Sequence, residues 1–331
     1  MKKISFGIIA CSNVAKNRFI PALLQSEFAE LGFIASRDIK KAESFSTKFL
    51  CSNYGTYDDA IKSPDIDALY ISTPINFKKK LVLKAIENDK HIILEKPAFL
   101  NSNDASEILC LCKKKKLHFL EGWMFKYHPQ HKKFLEIIRK KPFGQIKYFF
   151  SQFTYPKPPS GDIRLDPDLN GGVFYDSIGY PLAASIMILN KKPIHLFATL
   201  SKDKKHGVDD FVKIHLEYEN NIYADLIAGY GLQYKAVYSV LSDKGIACID
   251  RAFSVNDNME TRITLDNDNG KSIKLIKPVD QFKLMIDNFC NDININKIGY
   301  HKNSILIQQN IIDSALLSVK TNSLIKIKYE N

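Results

Sequence analysis

A short apolar run ends in a glutamate, a lysine and a proline. Of these residues, the lysine is a candidate for acid–base chemistry. The run is His91-Ile92-Ile93-Leu94, followed by Glu95-Lys96-Pro97. A lysine near apolar walls can donate a proton, and its charge can stabilise a developing alkoxide. The alternative is an ion pair at the solvated end of a strand. These residues alone favour neither interpretation.

Asp176 and Tyr180 form a second candidate pair, within the segment from Gly171 to Pro181. They are four residues apart, so a helix would place both side chains on one face. A neighbouring ammonium group favours the phenolate and would make Tyr180 a better proton donor. The alternative is a buried tyrosine whose hydroxyl bonds to Asp176.

Small residues follow the first apolar run, where a dinucleotide-binding fold has its phosphate loop. Ile4 to Ala10 reads as a buried strand, and the next residues lead into a helix that ends near Leu24. A strand, a tight turn and a helix N-terminus with free N–H groups can bind a phosphate. The usual pattern G-x-G-x-x-G is absent, but small residues occupy the equivalent positions: Ala10, Ser12 and Ala15.

The second predicted strand, Leu31 to Ser36, ends in a serine and an arginine. A hydroxyl followed by a guanidinium suits the extra phosphate of NADP, whereas an acid at this position would favour NAD. Asp38 is one position late for that role and is expected to cap a helix that starts near Ile39. Ser36 and Arg37 therefore favour NADP, with NAD as the alternative.

The strand Asp67 to Ser72 ends in Ser72-Thr73-Pro74-Ile75-Asn76. Its hydroxyl groups are candidates for contacts with a cofactor. The alternative is an ordinary strand-to-helix turn with Asn76 as the N-cap.

Strands and helices alternate over the first part of the chain, which predicts a doubly wound parallel sheet. After a helix near Gln130 to Lys140, alternating β-rich runs joined by turns predict a mainly antiparallel, open sheet. The fold class is therefore α/β with two domains. We place a nucleotide-binding domain at residues 1–122 and a substrate-binding and oligomerisation domain at 123–331. Helices from about 279–331 are candidates to return to the first domain.

The composition excludes several classes of protein. The chain has 331 residues, 45% of them hydrophobic, with a formal net charge of +11. No run approaches the ~20 apolar residues of a membrane helix, and the N-terminus has no signal-peptide core, so we expect a cytoplasmic protein without a membrane partner. The lysines are scattered, so nucleic acid is not expected, while anionic small molecules remain compatible. The six cysteines lack metal-site spacing, which favours reduced thiols and no metal.

In combination, these segments resemble the glucose-fructose oxidoreductase and inositol dehydrogenase family (Gfo/Idh/MocA) over most of the chain. Glu95-Lys96-Pro97 is the most specific element. The other matching segments are Ala10-Cys11-Ser12-Asn13-Val14-Ala15, Ser72-Thr73-Pro74, Glu121-Gly122-Trp123-Met124, Arg164-Leu165-Asp166-Pro167 and Gly171 to Pro181 with Asp176 and Tyr180.

The resemblance implies an N-terminal Rossmann domain, a C-terminal α/β domain, and hydride transfer between a nicotinamide and a sugar-like hydroxyl or ketone. It implies that Lys96 and Tyr180 are catalytic and that Asp176 orients the substrate. The residues expected to bind the cofactor are Ala10, Ser12, Asn13, Val14, Ser36, Arg37, Ser72, Thr73, Pro74, Asn76, Glu95, Lys96, Trp123 and Arg164.

Four positions differ from the usual family pattern. Ala10 and Ser12 replace glycines of the phosphate loop, and Lys78 stands where many members carry histidine. Tyr180 in place of histidine resembles the branch of sugar-nucleotide ketoreductases and dihydrodiol dehydrogenases, which leans towards NADP.

We therefore expect an NADP-dependent oxidoreductase acting on a sugar or a sugar nucleotide. A redox-neutral NAD(P)-dependent sugar-modifying enzyme and a non-catalytic nucleotide sensor with the same fold are the alternatives. An exposed antiparallel sheet face commonly pairs with another subunit, so a homodimer or homotetramer is expected.

Overall fold

The computed structural model describes residues 2–140, 143–297 and 302–329. The chain divides into two compact units. The first comprises Met1–Met124 and Asp280–Ile305, and the second comprises Phe125–Val279 and Leu306–Asn331.

Parallel strands form the sheet of the first unit, in the order β3-β2-β1-β4-β5-β6. Their bounds are β1 Ile4–Ile9, β2 Ala29–Ala35, β3 Tyr54–Gly55, β4 Ala68–Ile71, β5 His91–Leu94 and β6 Phe119–Glu121. Every residue of β1 and β4 is buried, which explains why these strands are apolar without alternation. The strand order reverses between β1 and β4, the point at which such sheets bind ligands beyond the carboxyl ends of their strands.

Helices connect these strands. After a π-helical turn at Ala15–Phe19, they are α1 Ile20–Leu24, α2 Ile39–Phe49, α3 Tyr57–Lys62, α4 Ile75–Glu87 and α5 Ser102–Lys114. Three of them, α2, α3 and α5, begin at a side chain that caps the N-terminus. Asp38 accepts a hydrogen bond from the Lys40 amide at 3.0 Å, which confirms its predicted role as the cap of α2. Asn101 accepts one from the amide of Asp104 at the start of α5.

The second unit has a larger sheet, in which β7 and β10 are parallel and the other paired strands are antiparallel. Its order is β14-β13-β12-β11-β7-β10-β9-β8-β15. The bounds are β7 Ile146–Tyr155, β8 His195–Lys202, β9 Asp209–Tyr218, β10 Ile222–Tyr230, β11 Lys235–Ser242, β12 Gly245–Ile249, β13 Thr261–Asn267, β14 Gly270–Ile276 and β15 Ile325–Lys326.

The remaining helices are α6 Pro129–Ile138, α7 Val173–Asp176, α8 Gly179–Leu189, α9 Gln281–Asn294 and α10 Lys302–Thr321, with 3₁₀ turns at Met124–Tyr127, Ile163–Leu165 and Pro167–Leu169. Helix α9 packs on α1 and β2 in the first unit. In the second unit, α7 and α8 pack on one face of the sheet, against β7, β9 and β10.

Helix α8 is apolar on all sides because it forms the core of the second unit. The stretch Pro167–Leu189 is long and apolar enough to cross a membrane by length and composition, contrary to the expectation that no run approaches that limit. However, 83% of its most apolar window is buried inside the protein, as in the core helix of a globular fold.

The other face of the large sheet is open, and β10 shows the alternation most clearly. Ala224, Leu226 and Ala228 are fully buried, while Asp225 and Ile227 point the opposite way and are partly exposed. The α/β fold class, with a doubly wound parallel sheet and a mainly antiparallel open sheet, is thereby confirmed. The short elements β3 and α3 were not expected from the sequence.

Candidate active site

The phosphate loop begins at Ala10, directly after β1, where the backbone turns with a φ of +80°. This left-handed conformation is the one that a glycine adopts without steric cost. The Ser12 hydroxyl then accepts a hydrogen bond from the Ala15 amide at 3.1 Å, so Ser12 caps the first turn of the helix. Asn13 and Val14 open that helix. A serine side chain thus shapes this loop where two glycines would usually do so.

Ser12 also connects the loop to the next strand end across the switch point of the sheet. Its hydroxyl lies 2.7 Å from the hydroxyl of Ser72, and the latter is also within 3.4 Å of the carbonyl oxygens of Ile9 and Ala10. The structure therefore brings two predicted cofactor residues together, from the ends of β1 and β4.

Thr73 follows Ser72 and is buried. Among the described residues, its hydroxyl has no hydrogen-bond partner. Helix α4 begins at Ile75 with Pro74 in the N-cap position, so Asn76 lies in the first turn, and the alternative that Asn76 caps the helix is wrong. Proline is tolerated at a helix start because the first N–H groups have no intrahelical partner. The asparagine side chain is therefore not needed to begin α4.

The end of β2 presents a serine and an exposed arginine, as the sequence predicted. The Ser36 hydroxyl is buried and accepts a hydrogen bond from the Asp38 amide at 3.2 Å. The Arg37 guanidinium lies 5.5 Å from the centre of the Phe77 ring, whose side chain is 44% exposed. An exposed guanidinium beside an aromatic face can bind a phosphate and stack on an adenine ring.

These strand ends fit a nicotinamide dinucleotide. Small residues and a helix N-terminus occupy the pyrophosphate position after β1, and an arginine follows β2 at the ribose position. At the end of the neighbouring strand, the buried Thr73 hydroxyl has no partner among the residues that the structure describes, and a buried hydroxyl normally has one.

The Glu95-Lys96-Pro97 segment leaves β5 with its backbone held from several sides, and the Lys96–Pro97 peptide bond is cis. Glu95 donates its amide N–H to the Ile71 carbonyl at 2.9 Å, and the Glu95 side chain accepts a hydrogen bond from the Tyr70 hydroxyl at 2.6 Å. The Lys96 side chain is neither fully buried nor fully exposed. A half-buried lysine beyond the carboxyl end of a parallel strand lies where such sheets place reacting groups.

Trp123 follows β6 and is 1% exposed. Its amide donates a hydrogen bond to the Glu121 carbonyl at 2.7 Å. The indole ring therefore contributes to packing after β6, and its contact with a cofactor stays a prediction.

In the second unit, Asp176 lies among hydroxyl groups. Its carboxylate accepts hydrogen bonds from Tyr155, from Ser177 at 3.0 Å and from Tyr230 at 3.2 Å. Burial raises the pKa of Tyr230, and the charge of Asp176 raises it further, so this phenol stays protonated and donates. Asp176 is thus held as an oriented hydrogen-bond acceptor.

Arg164 belongs to the same group of residues. Its guanidinium forms a bidentate pair with Asp162, at 2.9 and 2.8 Å, and lies 5.6 Å from the centre of the Tyr155 ring. The Asp162 carboxylate raises the pKa of Arg164, and the charge of Asp176 acts in the same direction. The structure therefore joins Arg164 and Asp176 through Tyr155, and cofactor binding by Arg164 stays a prediction.

Tyr180 lies in an aromatic box and is 7% exposed. Its ring centre is 5.8, 4.9 and 5.5 Å from those of Phe125, Phe153 and Phe253. One helix does not carry both Tyr180 and Asp176, because α7 ends at Asp176 and α8 begins at Gly179. The spacing argument for a shared helical face is therefore wrong.

Sequence reasoning missed Tyr155 and Tyr230, and it singled out Lys78 without foreseeing its contacts. Tyr155 and Tyr230 surround Asp176 from the ends of β7 and β10, and nothing local in the sequence links them to it. Lys78 is 2% exposed and bonds to the backbone around Lys96. A signal for Lys78 was present, since it falls on the same helical stripe as Ile75 and Val82.

The first unit, with its parallel sheet, its strand order and its polar strand ends, defines the class of Rossmann dinucleotide-binding proteins. Two family models identify the particular family. One, described as "Oxidoreductase family, NAD-binding Rossmann fold", matches residues 4–122, and one described as "GFO/IDH/MocA C-terminal domain" matches residues 131–248. The chain belongs to the Gfo/Idh/MocA family of oxidoreductases, which confirms the resemblance seen in the sequence.

Similar proteins include reductases of nucleotide-linked sugars. A dTDP-3,4-didehydro-2,6-dideoxy-alpha-D-glucose 3-reductase from Saccharopolyspora spinosa is 28% identical over 88% of both chains. A trans-1,2-dihydrobenzene-1,2-diol dehydrogenase from Xenopus laevis is 25% identical over 64% of this chain and 65% of its own. A 3-ketoreductase from Actinomadura kijaniata, solved with NADP and TDP-benzene, shares the fold, with a TM-score of 0.92, 24% identity, and coverage of 96% of this chain and 98% of that chain.

Proposed function

We propose that the protein is an NADP-dependent reductase of a keto group on a nucleotide-linked sugar. The observation that carries the proposal is Lys96, half-buried and held by its backbone at the end of β5 in an NAD-binding unit. The relatives support the substrate class, because one is a reductase of a dTDP-linked keto sugar and another was solved with NADP and TDP-benzene. The net charge of +11 suits an anionic diphosphate.

Each candidate residue has a chemical role in this proposal. Bound NADPH would supply a hydride to the carbonyl carbon. The Lys96 ammonium stabilises the developing alkoxide, and the Tyr180 hydroxyl or Lys96 donates the proton. The Asp176 carboxylate, oriented by three hydroxyl groups, accepts a hydrogen bond from a sugar hydroxyl.

The choice of NADP over NAD depends on the end of β2. Arg37 is exposed and its guanidinium can pair with a 2′-phosphate, while the neighbouring Ser36 hydroxyl adds a short polar group. In our proposal, Ser12, Asn13 and Val14 hold the pyrophosphate, and Thr73 gains the partner that its buried hydroxyl lacks among the described residues.

The test is a panel of dTDP-linked keto sugars with NADPH and with NADH, followed by mass spectrometry of the products. We expect oxidation of NADPH on at least one 3-keto or 4-keto sugar, with a product two mass units heavier than the substrate. Lys96→Met should reduce turnover more than about a hundredfold and leave NADPH affinity unchanged. Turnover within tenfold of the wild type would remove Lys96 from the chemistry.

The same panel separates this function from its two rivals. A nucleotide sensor would bind NADPH tightly and oxidise it on no substrate. A redox-neutral enzyme would copurify with a cofactor that does not exchange with the solution and would convert a sugar without net consumption of NADPH.

We also propose that the protein forms a homodimer or homotetramer through the open face of the large sheet. That face carries Tyr223 at 39% exposure and Ile246 at 45%, and unpaired apolar faces of this kind commonly mark an interface. Light scattering on the purified chain would contradict this if it gave the mass of a monomer across micromolar concentrations.

A further inference from the structure

Lys78 is a buried cation on the inner side of helix α4, at 2% exposure. A lysine is rarely this buried unless its ammonium group has strong acceptors. Two such acceptors are main-chain carbonyl oxygens on the segment that follows β5. The ammonium of Lys78 donates to the carbonyl of Glu95 and, at 2.7 Å, to that of Pro97.

These two carbonyls belong to the residues immediately before and after Lys96. One side chain from α4 therefore holds the backbone on both sides of the candidate catalytic lysine. The start of the segment is fixed as well, since the Leu94 carbonyl before it accepts a hydrogen bond from the Gly122 amide at 2.8 Å and the Glu95 amide donates to the Ile71 carbonyl. The path of the backbone through Lys96 is thus set by hydrogen bonds to fixed elements.

Glu121 completes this arrangement from the neighbouring strand β6 and with the opposite charge. It is 4% exposed and lies at the end of β6, and its carboxylate accepts a hydrogen bond from the Ala98 amide at 2.9 Å. A buried ammonium binds two carbonyls and a buried carboxylate binds an N–H, all within four consecutive residues. Charge-assisted hydrogen bonds of this kind are shorter and stronger than neutral ones.

We propose that Lys78 and Glu121 are positioning residues that hold the Glu95-to-Ala98 backbone and so fix the place of Lys96. The inference rests on the proposed role of Lys96, and neither Lys78 nor Glu121 is assigned contact with the substrate. Groups that place a reacting side chain affect the rate strongly, because a shift of about 1 Å can cost roughly a hundredfold in turnover.

The main experiment compares Lys78→Met, which keeps the length and apolar body of the side chain and removes its donors, with Lys80→Met. Lys80 is an exposed lysine on the same helix and serves as the matched control. We expect Lys78→Met to lower kcat about 10- to 100-fold, while KM and the Kd of NADPH stay within about threefold of the wild type. Lys78→Arg, which keeps a charged donor, should recover part of the loss, and Lys80→Met should match the wild type.

A double variant tests whether Lys78 acts through Lys96. If it does, Lys78→Met adds no further loss to Lys96→Met, because the group being positioned is already gone. A second readout needs no substrate: the rate at which acetic anhydride acetylates Lys96, measured by mass spectrometry against an added lysine peptide. We expect this rate to change more than about threefold in Lys78→Met and to stay unchanged in Lys80→Met.

The outcomes separate this inference from the proposed function. An active Lys96→Met variant would refute the role of Lys96, whereas an altered acetylation rate in Lys78→Met would still support the positioning. An inactive Lys96→Met together with a Lys78→Met variant that behaves like Lys80→Met would refute the positioning alone. If Lys78→Met does not fold, Glu121→Met replaces it, and the same kinetic and acetylation measurements test the positioning. Glu121→Gln, which keeps the hydrogen-bond acceptor, is then the conservative variant.

Discussion

Replacing Ala10 in the phosphate loop should increase the stability of the protein, because Ala10 carries a side chain where the backbone conformation favours glycine. Its φ is +80° and its methyl group is only partly buried. An L-residue in the left-handed region costs about 1–2 kcal/mol relative to the usual helical conformation. Glycine would remove this cost. However, glycine also has more conformational freedom in the unfolded chain, and this offsets about 0.4–1 kcal/mol of the stabilisation. Ala10→Gly should therefore stabilise the first unit by about 0.5–1 kcal/mol.

Thermal unfolding measured by circular dichroism tests this, with an expected rise in Tm of about 1–4 °C. Two control substitutions bracket the result. Leu50 has a φ of +53° at the C-terminus of α2 and is 92% exposed, so Leu50→Gly should stabilise by the same mechanism. Ala85 is buried within α4, so Ala85→Gly should destabilise by about 1 kcal/mol.

The cofactor gives a second readout for Ala10→Gly. A glycine at this turn lets the backbone approach a pyrophosphate more closely, so the affinity for NADPH should stay the same or increase. A variant that unfolds at a lower temperature than the wild type, while Leu50→Gly unfolds at a higher one, would refute the argument. It would mean that the alanine methyl contributes more to the loop than its backbone conformation costs.

Three further outcomes follow from individual side chains. Arg37→Ala should weaken NADPH binding about 10- to 100-fold and leave NADH binding unchanged, since only the 2′-phosphate loses a charge-assisted partner; equal losses for both cofactors would contradict this. Asp176→Asn should raise KM for the sugar about tenfold or more at constant NADPH affinity, and a fall in kcat alone would instead make the carboxylate a transition-state group. Burial is the main cause that lowers the pKa of His118 to about 4, and the charges of His91 and Lys297 act in the same direction. As the pH falls, His118 is therefore protonated in the unfolded chain before it is protonated in the folded protein. The contribution of His118 to the free energy of unfolding should then be constant above pH 6.5 and fall by on the order of 3 kcal/mol between pH 6.5 and 4. Urea titrations of the wild type and of His118→Gln would measure this fall.

The sequence predicted the first unit well because its signals are local. Buried parallel strands are apolar along their whole length, and the residues that follow them lie at one edge of the sheet by topology alone. Ser12, Arg37 and Lys96 could therefore be assigned to strand ends without coordinates. The exception is the pair β3 and α3, which are too short to show a periodicity, although Thr56 and Asp59 form a capping box at the start of α3.

The prediction for the second unit failed where it relied on spacing. A helix that ran without a break from Asp176 through Tyr180 into α8 would need residue 181 to donate its N–H to the Ser177 carbonyl. Residue 181 is proline, which has no N–H and whose ring collides with that carbonyl. The helix is interrupted at Ser177, whose φ is −125°. Tyr155 and Tyr230 could not be found from the sequence at all, since they come from strands that pair only in the folded sheet.

The two groups of candidate residues are built differently, and this difference predicts how each responds to substitution. The segment around Lys96 is held through its main-chain groups, to which the side chains of Lys78 and Glu121 bond. Side-chain hydroxyls orient Asp176, and the ring of one of these residues, Tyr155, also lies beside the Arg164 guanidinium. We expect that removing a single hydroxyl would reorient the Asp176 carboxylate and leave the sheet intact. Changes around Asp176 should therefore alter KM and the choice of sugar, whereas changes around Lys96 should alter kcat for every sugar that the protein accepts.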